Sequence, residues 1–422
     1  MFRKIISASL SPNTTSADIR TAWRTIVTPW TWQNGSSLTR VSQWFEKTYG
    51  VREVHFFQSG RVALFEVFRA LHIGNGDDVL VQAFTCVAVP NSVKWAGATP
   101  IYVDIDSFLN IDTQDAEKKI TPRTKAIVVQ HTFGIPADMD AIMAFAQKHA
   151  LLVIEDCAHA IGATHNGKAL GTCGDAAIFS FGRDKAVSSV WGGAAIINAS
   201  CAVKAANSRL HKTASDMPQP AFGWILQQLL HPIAFSLILP TYTMGLGKVV
   251  LVLLQRMHLL SKPVAAAELC GGQPEGILTR YPNALARLLE VELQALPDMV
   301  DRRMQTARYY MKHVDPRYVR VPHKNGASYL RYPIFADDPL SCRKAARAKG
   351  ILLGNWYHHV IDPQHTDVTA IAYTIGSCPK AEYAAEHILN LPTLITEKEA
   401  AAVESVLRYY IGIPRKKSVP GR

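Results

Sequence analysis

Short apolar runs alternate with amphipathic stretches between Val51 and Asn198, and this pattern predicts the fold class. Apolar residues recur at helical spacing in the amphipathic stretches, whereas the short runs have the composition of strands. Strands and helices that alternate at this spacing require crossover connections, so we expect an α/β domain with a mostly parallel sheet. The predicted strands are DDVLVQAF, TPIYVDID, KAIVVQHTFG, LLVIEDCAHA, AAIFSF and AAIINAS, and the predicted helices are VALFEVFRALHIG, PNSVKWAGA and ADMDAIMAFAQKHA.

The pattern changes from Pro274 onward. The stretch RYPNALARLLEVELQALPDMVDRRMQTARYYMKHV predicts a long helix with a break at Pro297. Short strands in SYLRYPIFA, a helix in SCRKAARAKG and a closing helix in EKEAAAVESVLRYY predict a smaller α+β domain. We therefore expect an N-terminal segment over residues 1–50, a large domain over residues 51–275 and a small C-terminal domain over residues 276–422.

Residues 221–260 form an apolar insert in the large domain. A membrane-spanning helix needs about 20 nearly continuous apolar residues, and polar residues and prolines interrupt any such run here. In the second half of the insert, Lys248, Gln255 and Arg256 share one helical face and apolar residues fill the rest. Two interpretations stay open: a helix that lies in the membrane interface, and a helical hairpin that is buried against the partner subunit of an oligomer.

Composition narrows the class of protein and its location. A hydrophobic content of 48% and a charged content of 19% are typical of a folded globular protein. Seven cysteines without framework spacing indicate free thiols in a reducing compartment, and the N-terminal sequence is too weak for a secretory signal, so we expect the cytoplasm. The net charge of +11 favours anionic partners, but no zinc pattern or recognition-helix signature supports nucleic-acid binding.

Polar residues that follow the predicted strands indicate where the chemistry is. Asp156 and His159 follow the run LLVIE, and Lys185 follows AAIFSF. Ligands of parallel α/β sheets bind outside the carboxyl ends of the strands, so these three side chains are expected to face one crevice. Each residue alone also has a structural explanation, because most loop lysines are surface charges and an aspartate at a strand end often caps the next turn.

A lysine and an aspartate in one crevice suit pyridoxal phosphate. Burial lowers the pKa of an amine, which lets Lys185 react with the cofactor aldehyde, and Asp156 would keep the pyridine nitrogen protonated. Ser180 could donate a hydrogen bond to the phosphate. The turn at Ser59, Gly60 and Arg61 opens a helix whose positive N-terminal end favours a phosphate, although the same sequence serves as an ordinary helix cap.

The chain from about Val51 to Arg408 resembles the DegT/DnrJ/EryC1/StrS sugar aminotransferases, which are fold-type-I enzymes that depend on pyridoxal phosphate. The motifs that carry the resemblance occur in the order of the family: SGRVAL, HIGNGDDVLVQAFT, WAGATPIYVDID, VIEDCAHAIGA, GDAAIFSFGRDK and CPKAEYAAEHILNLPTLITEKE. The resemblance implies a homodimer with active sites between the subunits. No metal ion is implied.

The resemblance also implies roles for individual residues. Lys185 is the lysine that attaches the cofactor, Asp156 is the partner of the pyridine nitrogen, and His159 lies against the cofactor. Ser180 and the amides of Gly60 and Arg61 contact the phosphate.

Three positions depart from the family pattern. Cys86 stands where an aromatic residue usually covers the cofactor ring, Leu278 stands where an asparagine is usual, and Arg61 replaces a threonine. A thiol has no aromatic face to stack on the cofactor ring, so another side chain would have to fill that space. Arg61 could bond to the phosphate or point away to solvent.

The resemblance implies an aminotransferase that moves an amino group, from glutamate by analogy, to a keto-sugar in amino-sugar or polysaccharide biosynthesis. The keto-sugar is nucleotide-linked in the family, and the insert 221–260 raises a lipid-linked acceptor and peripheral contact with the inner face of the membrane as further hypotheses. The alternative is a non-catalytic regulatory or assembly protein that retains the fold. Cys86, Leu278 and Arg61 favour the alternative. It is opposed by the retained residues Lys185, Asp156, His159 and Ser180.

Overall fold

The structure is a computed structural model that describes residues 5–242 and 245–411. Thirteen strands are found within these residues: β1 (Ile6–Ser7), β2 (His55–Phe57), β3 (Asp78–Gln82), β4 (Thr99–Val103), β5 (Thr124–Gln130), β6 (Leu152–Asp156), β7 (Thr164–His165), β8 (Lys168–Ala169), β9 (Ala176–Ser180), β10 (Gly193–Ile197), β11 (Tyr332–Phe335), β12 (Ile351–Leu352) and β13 (Ile388–Leu391). The α-helices of the same residues are α1 (Ser16–Ile26), α2 (Ser36–Tyr49), α3 (Gly60–Ala70), α4 (Ala88–Trp95), α5 (Thr113–Lys119), α6 (Met139–Lys148), α7 (Ala206–Asp216), α8 (Phe222–Thr241), α9 (Leu246–Arg256), α10 (Asn283–His313), α11 (Pro339–Ala348), α12 (Pro379–His387) and α13 (Glu397–Ile411).

The core of the large domain is a seven-stranded sheet in the order β2-β10-β9-β6-β5-β3-β4. The strands β9, β6, β5, β3 and β4 pair in parallel, and β10 is antiparallel to both of its neighbours. Helices cover both faces of the sheet, so the middle strands are apolar along almost their whole length and buried on both sides. The predicted α/β architecture is therefore confirmed. Among the strands of this sheet in the described residues, β10 alone runs antiparallel to the others.

The register of the sheet brings polar side chains together at its carboxyl edge. Gln130 at the end of β5 is paired with Asp156 at the end of β6, and Asp156 lies beside Ile178 of β9. Ser180 ends β9 two residues later. The position of Asp156 therefore follows from strand pairing alone.

Helix α10 contains an internal proline. It continues from Asn283 to His313 through Pro297, where the sequence predicts a break. A proline inside a helix costs roughly 3 kcal/mol because a hydrogen bond is lost and the ring crowds the preceding turn. The helix is buried on both sides of Pro297, with Leu293 and Leu296 before it and Met299 after it in one apolar core. That burial offsets the cost of the proline.

The C-terminal part contains small sheets instead of one extended sheet. Strands β11 and β13 pair antiparallel, and β12 pairs in parallel with β1 from the N-terminus of the chain. The N-terminal segment is therefore attached to the C-terminal part by strand pairing. The domain boundaries at residues 50 and 275 stay predictions.

The apolar insert forms two helices, α8 and α9, that pack against each other. Helix α8 also packs against α1 and α10, and its polar residues Gln228 and His231 are buried there. Within the described residues, α8 is the one helix with the length and composition of a membrane span.

Candidate active site

A cavity of about 260 Å³ opens at the carboxyl edge of the large sheet, at the ends of β6 and β9. The seven residues that the sequence predicts for the site all line this cavity: Gly60, Arg61, Cys86, Asp156, His159, Ser180 and Lys185. Parallel strands present their carboxyl ends on one edge, and the loops that leave them converge there. The structure therefore brings the predicted residues into one place.

Lys185 is held by its backbone in the loop after β9. Its amide donates to the Gly182 carbonyl at 3.0 Å, and its carbonyl accepts a hydrogen bond from Asn13 Nδ2 at 2.7 Å. Its side-chain amine lies 3.1 Å from His159 Nε2. Burial lowers the pKa of Lys185, because the charged form loses its hydration. A neutral amine is the nucleophilic form of a lysine.

Asp156 is buried at the end of β6 in the same cavity. Its Oδ1 accepts a hydrogen bond from the Ala158 amide at 2.9 Å, and the described chain offers no donor to the other carboxylate oxygen. Burial raises the pKa of Asp156, while the Ala158 amide and the Lys185 charge oppose that rise. A buried carboxylate with an unpaired oxygen is suited to a protonated ring nitrogen, which would supply the missing donor and a compensating charge.

His159 links the lysine to the aromatic side of the cavity. Its Nδ1 accepts a hydrogen bond from the Phe133 amide at 3.2 Å, which assigns the imidazole proton to Nε2, the atom beside Lys185. Burial lowers the pKa of His159 well below its usual range, and the Lys185 and Arg331 charges lower it further. The imidazole is therefore neutral near neutral pH.

The N-terminus of α3 and Ser180 form the opposite side of the cavity. Ser59 caps α3 by accepting a hydrogen bond from the Val62 amide, which leaves the first amides of the helix facing the cavity edge. A Cβ atom at Gly60 would lie 2.8 Å from Ser180 Cβ, so this close approach requires glycine. Helix amides and a hydroxyl at one point form an anion site.

Arg61 takes neither of the two orientations that the sequence left open. Its guanidinium forms an ion pair with Glu268, donates to the Pro263 carbonyl at 2.8 Å, and lies 5.4 Å from the ring centre of Trp191. Arg61 therefore ties the chain after the insert to the cavity wall. Only its amide stays a candidate for contact with a phosphate.

Two aromatic residues of the cavity were not predicted from the sequence. Trp356 and Tyr357 come from the C-terminal part of the chain and line the cavity opposite the sheet. The Trp356 ring is nearly parallel to the His159 ring, with 5.4 Å between the ring centres, and the Lys185 amine lies 4.8 Å from the Trp356 ring centre. In the sequence these two residues are only an aromatic pair in a loop. The tertiary fold brings that loop to Lys185, so the local sequence does not indicate their position.

Arg331 is a third residue that the sequence did not indicate. It is buried behind Trp356, with its guanidinium carbon 3.7 Å from the Trp356 ring centre. Its Nη1 contacts Asn390 Oδ1 at 3.4 Å, and Nε and Nη2 have no partner among the described residues. Burial lowers the pKa of Arg331 to about 10. A buried cation that lacks a full set of acceptors therefore lies behind the cavity residue Trp356.

A mostly parallel seven-stranded sheet with a buried lysine and a buried aspartate at its carboxyl edge is the architecture of fold-type-I pyridoxal-phosphate transferases. A model of the DegT/DnrJ/EryC1/StrS aminotransferase family matches residues 13–221. A UDP-N-acetyl-3-dehydro-alpha-D-glucosamine 3-aminotransferase of Acidithiobacillus ferrooxidans is 30% identical over 83% of this chain and 82% of its own length. The chain belongs to the DegT/DnrJ/EryC1/StrS aminotransferase family.

Other comparisons agree on the fold. GDP-perosamine synthase of Caulobacter vibrioides is 44% identical over 37% of this chain and 44% of its own length. An aminotransferase structure from Psychrobacter cryohalolentis superimposes with a TM-score of 0.73 at 21% identity, over 98% of this chain and 99% of that chain. Helicobacter pylori PseC, an aminotransferase involved in the biosynthesis of pseudoaminic acid, gives a TM-score of 0.72 at 18% identity, over 97% and 100% of the two chains.

Proposed function

We propose that this chain binds pyridoxal phosphate in the cavity and transfers an amino group from a donor to a nucleotide-linked keto-sugar. The observation that carries the proposal is that the amine of Lys185, whose pKa is lowered by burial, lies in one cavity with the buried carboxylate of Asp156. Lys185 would bond to the cofactor, Asp156 would bind its ring nitrogen, and Ser180 with the amides of Gly60 and Arg61 would bind its phosphate. When bound, the cofactor supplies an electron sink for proton transfer at carbon.

The residues of the chain have separate tasks in this scheme. Asp156 uses its unpaired oxygen to hold a proton on the ring nitrogen. The Lys185 amine moves a proton at the amino-bearing carbon, and a neutral amine can accept that proton. His159 stays neutral and donates through Nε2, so it stabilises the uncharged amine without adding a competing positive charge. The half-buried Trp356 and the buried Tyr357 line the cavity beside the amine, which limits access of water to it.

The proposed acceptor is a nucleotide-linked keto-sugar because several proteins similar to this chain are named for nucleotide-linked sugars. They include the UDP-sugar aminotransferase of Acidithiobacillus ferrooxidans, GDP-perosamine synthase, and a dTDP-3-amino-3,6-dideoxy-alpha-D-galactopyranose transaminase of Aneurinibacillus thermoaerophilus. The proposed donor is glutamate. Glutamate is proposed by analogy with the family.

The proposal extends to assembly and location. We expect a homodimer in the cytoplasm, with peripheral contact between residues 221–260 and the inner face of the membrane. The free cysteines agree with a reducing compartment: in the described chain Cys86, Cys157, Cys173, Cys201, Cys270, Cys342 and Cys378 form no disulfide.

The test combines a spectrum with a reaction. Purified protein is incubated with pyridoxal phosphate, and we expect an absorbance band of the bound cofactor. Lys185→Ala should abolish this band. Lys168→Ala changes an exposed lysine and should retain it. A panel of nucleotide keto-sugars with glutamate is then examined by mass spectrometry for the amino-sugar product. Lys185→Ala should lower the rate by at least roughly 10²- to 10⁴-fold. A cofactor band without product from any sugar would contradict the acceptor class, and no band at all would favour the non-catalytic alternative.

A further inference from the structure

The apolar insert lies in a part of the chain that contains no acidic residue. No Asp or Glu occurs from Met217 to Ala267, whereas Lys248, Arg256 and Lys262 fall within that stretch. Among residues 5–242 and 245–411, none of these three cations forms an ion pair, and all three are exposed. The insert itself therefore presents apolar and positively charged side chains and contributes no anion to its own surface.

The orientation of α9 is determined by its packing on α8. Val250, Leu251 and Leu254 face a small core that contains Phe235 and Ile238 of α8. A Cβ atom at residue 247 would lie 2.3 Å from the Ile238 carbonyl oxygen, so Gly247 allows the two helices to approach closely. One side of α9 is thus occupied by the protein itself, and the opposite side must face outward.

The outward side of α9 has two adjacent ridges. Leu246, Val249, Leu253 and Met257 follow one another at helical spacing and are between 53% and 65% exposed. Lys248, Val252 and Arg256 form the neighbouring ridge at intervals of four residues, and all three are exposed. Leu237 at the end of α8 and Leu259 after α9 extend the apolar surface. We call these nine residues the hairpin face.

Length excludes a transmembrane role for α9. Its 11 residues span about 16 Å, and a bilayer core is about 30 Å thick. Helix α8 has the length of a span, but it packs against α1 and α10 and buries Gln228 and His231 in the protein. The geometry suits a helix that lies in the plane of the interface, with its apolar ridge toward acyl chains and its basic ridge at the headgroups.

We propose that the hairpin face docks this protein on an anionic phospholipid surface. Charge decides between this occupant and a second copy of the chain. A symmetric contact between two hairpin faces would bring Lys248 and Arg256 near their own copies, and neither helix carries an acidic residue to compensate. Anionic headgroups provide that compensation for every cation on the face.

A short segment connects the hairpin face to the cavity. The chain that leaves α9 continues through Ser261, whose hydroxyl accepts from Arg183 and Trp191 at 2.7 and 3.0 Å, and Pro263 and Val264 line the cavity directly. Arg183 lines the cavity as well. The hairpin face and the cavity mouth are therefore joined by one short, hydrogen-bonded segment.

The test measures binding of the full chain to vesicles without substrate, so its outcome is independent of the proposed reaction. Vesicles of phosphatidylcholine alone and of phosphatidylcholine with phosphatidylglycerol are floated with the protein at low and high salt. We expect recovery with the anionic vesicles, little recovery with the neutral ones, and release as salt screens the charges. Equal recovery with both vesicle types would overturn the electrostatic part of the proposal.

Variants locate the contact. Lys248→Ala and Arg256→Ala should each weaken binding roughly fivefold, and Val249→Gln with Leu253→Gln should abolish recovery with the vesicles. Lys204→Ala and Ile375→Gln change exposed residues of the same types elsewhere and should have no effect. Circular dichroism checks that each variant is folded.

Two results would refute the inference. One is undiminished vesicle binding by Val249→Gln/Leu253→Gln. The other combines two observations: the wild type is not recovered with anionic vesicles, and light scattering gives the variant a smaller mass than the wild type. The hairpin face would then be a contact between copies of the chain.

Discussion

Single residues account for the departures of this chain from its family. Cys86 lines the cavity with a thiol, and burial raises the pKa of that thiol, so it stays neutral and uncharged beside Lys185. An aromatic face is nevertheless present in the cavity, because Trp356 reaches it from the C-terminal part. The ring centres of Trp356 and Tyr357 lie 5.4 and 6.1 Å from that of His159. The chain therefore offers a stacking surface that the local sequence around Cys86 does not reveal.

Trp356 is predicted to contribute to cofactor affinity. An aromatic contact contributes about 0.5–1.5 kcal/mol beyond buried area, so Trp356→Ala should raise the dissociation constant for pyridoxal phosphate about two- to tenfold. Trp356→Phe should retain most of the affinity, and Trp30→Ala removes a highly exposed tryptophan as the control. Titration of the cofactor absorbance measures the constant. An unchanged constant in Trp356→Ala would assign the stacking to another residue.

At the scale of elements, helix α8 combines an apolar sequence with buried polar groups. His231 is fully buried, contacts Ser11 Oγ through Nε2 at 2.7 Å, and stacks on Phe235 with 4.1 Å between ring centres. Burial lowers the pKa of His231 well below its usual range, and the Arg183 charge lowers it further. The helix is thus held to the N-terminal segment by a histidine that must stay neutral.

The neutral His231 predicts a loss of stability in acid. Because its pKa is depressed in the folded state, the unfolded chain binds one more proton at this residue as the pH falls below about 6.5. The free energy of unfolding therefore falls as the pH decreases. The glutamine of His231→Gln cannot titrate. The free energy of unfolding of this variant should therefore fall less steeply with decreasing pH than that of the wild type, by up to about 1.4 kcal/mol per pH unit.

Urea denaturation between about pH 6.5 and 5 measures this slope. His211→Gln changes an exposed histidine and serves as the control. Identical slopes for the wild type and His231→Gln would show that His231 does not resist protonation in the fold. His159 contributes to both proteins equally and does not affect the comparison.

At the scale of the whole molecule, the loop of Lys185 is held by residues far away in the chain. Asn13 donates to the carbonyls of Lys185 and Ala186 at 2.7 and 3.0 Å, and its oxygen accepts from Arg303 Nη2 at 3.1 Å. Arg303 lies on α10 and also donates to the Ala186 carbonyl at 2.9 Å. The N-terminal segment, the lysine loop and the long helix therefore meet at one buried amide.

Asn13→Ala is predicted to destabilise the fold and to disturb the reactive lysine. It leaves two buried carbonyls and a buried guanidinium with fewer partners, at a cost of roughly 1–3 kcal/mol for the unsatisfied groups. The exposed Asn34→Ala is the matched control and should stay within about 0.5 kcal/mol of wild type. Urea denaturation measures both variants. An effect of Asn13→Ala no larger than that of Asn34→Ala would show that the N-terminal segment does not support the loop.

Local sequence determined the elements and the chemistry that follows the strands. The alternation of apolar runs and amphipathic stretches predicted the parallel strands from Asp78 to Ser180, because periodicity reflects which side of an element is buried. Asp156, His159 and Lys185 were found from the sequence because they lie at or after the carboxyl ends of strands that must share an edge. Ser180 was added as a candidate donor to the phosphate. The roles of these residues stay predictions until the cofactor and product are measured.

Contacts between distant residues decided the rest, because their energies do not appear in any local window of sequence. The path of α10 through Pro297 depends on apolar burial that the local cost of proline does not reveal. Trp356, Arg331 and Asn13 reach the lysine loop from both ends of the chain, and only the folded arrangement brings them there. Which side of α9 faces outward was likewise settled by its packing on α8, since α9 is apolar on both sides.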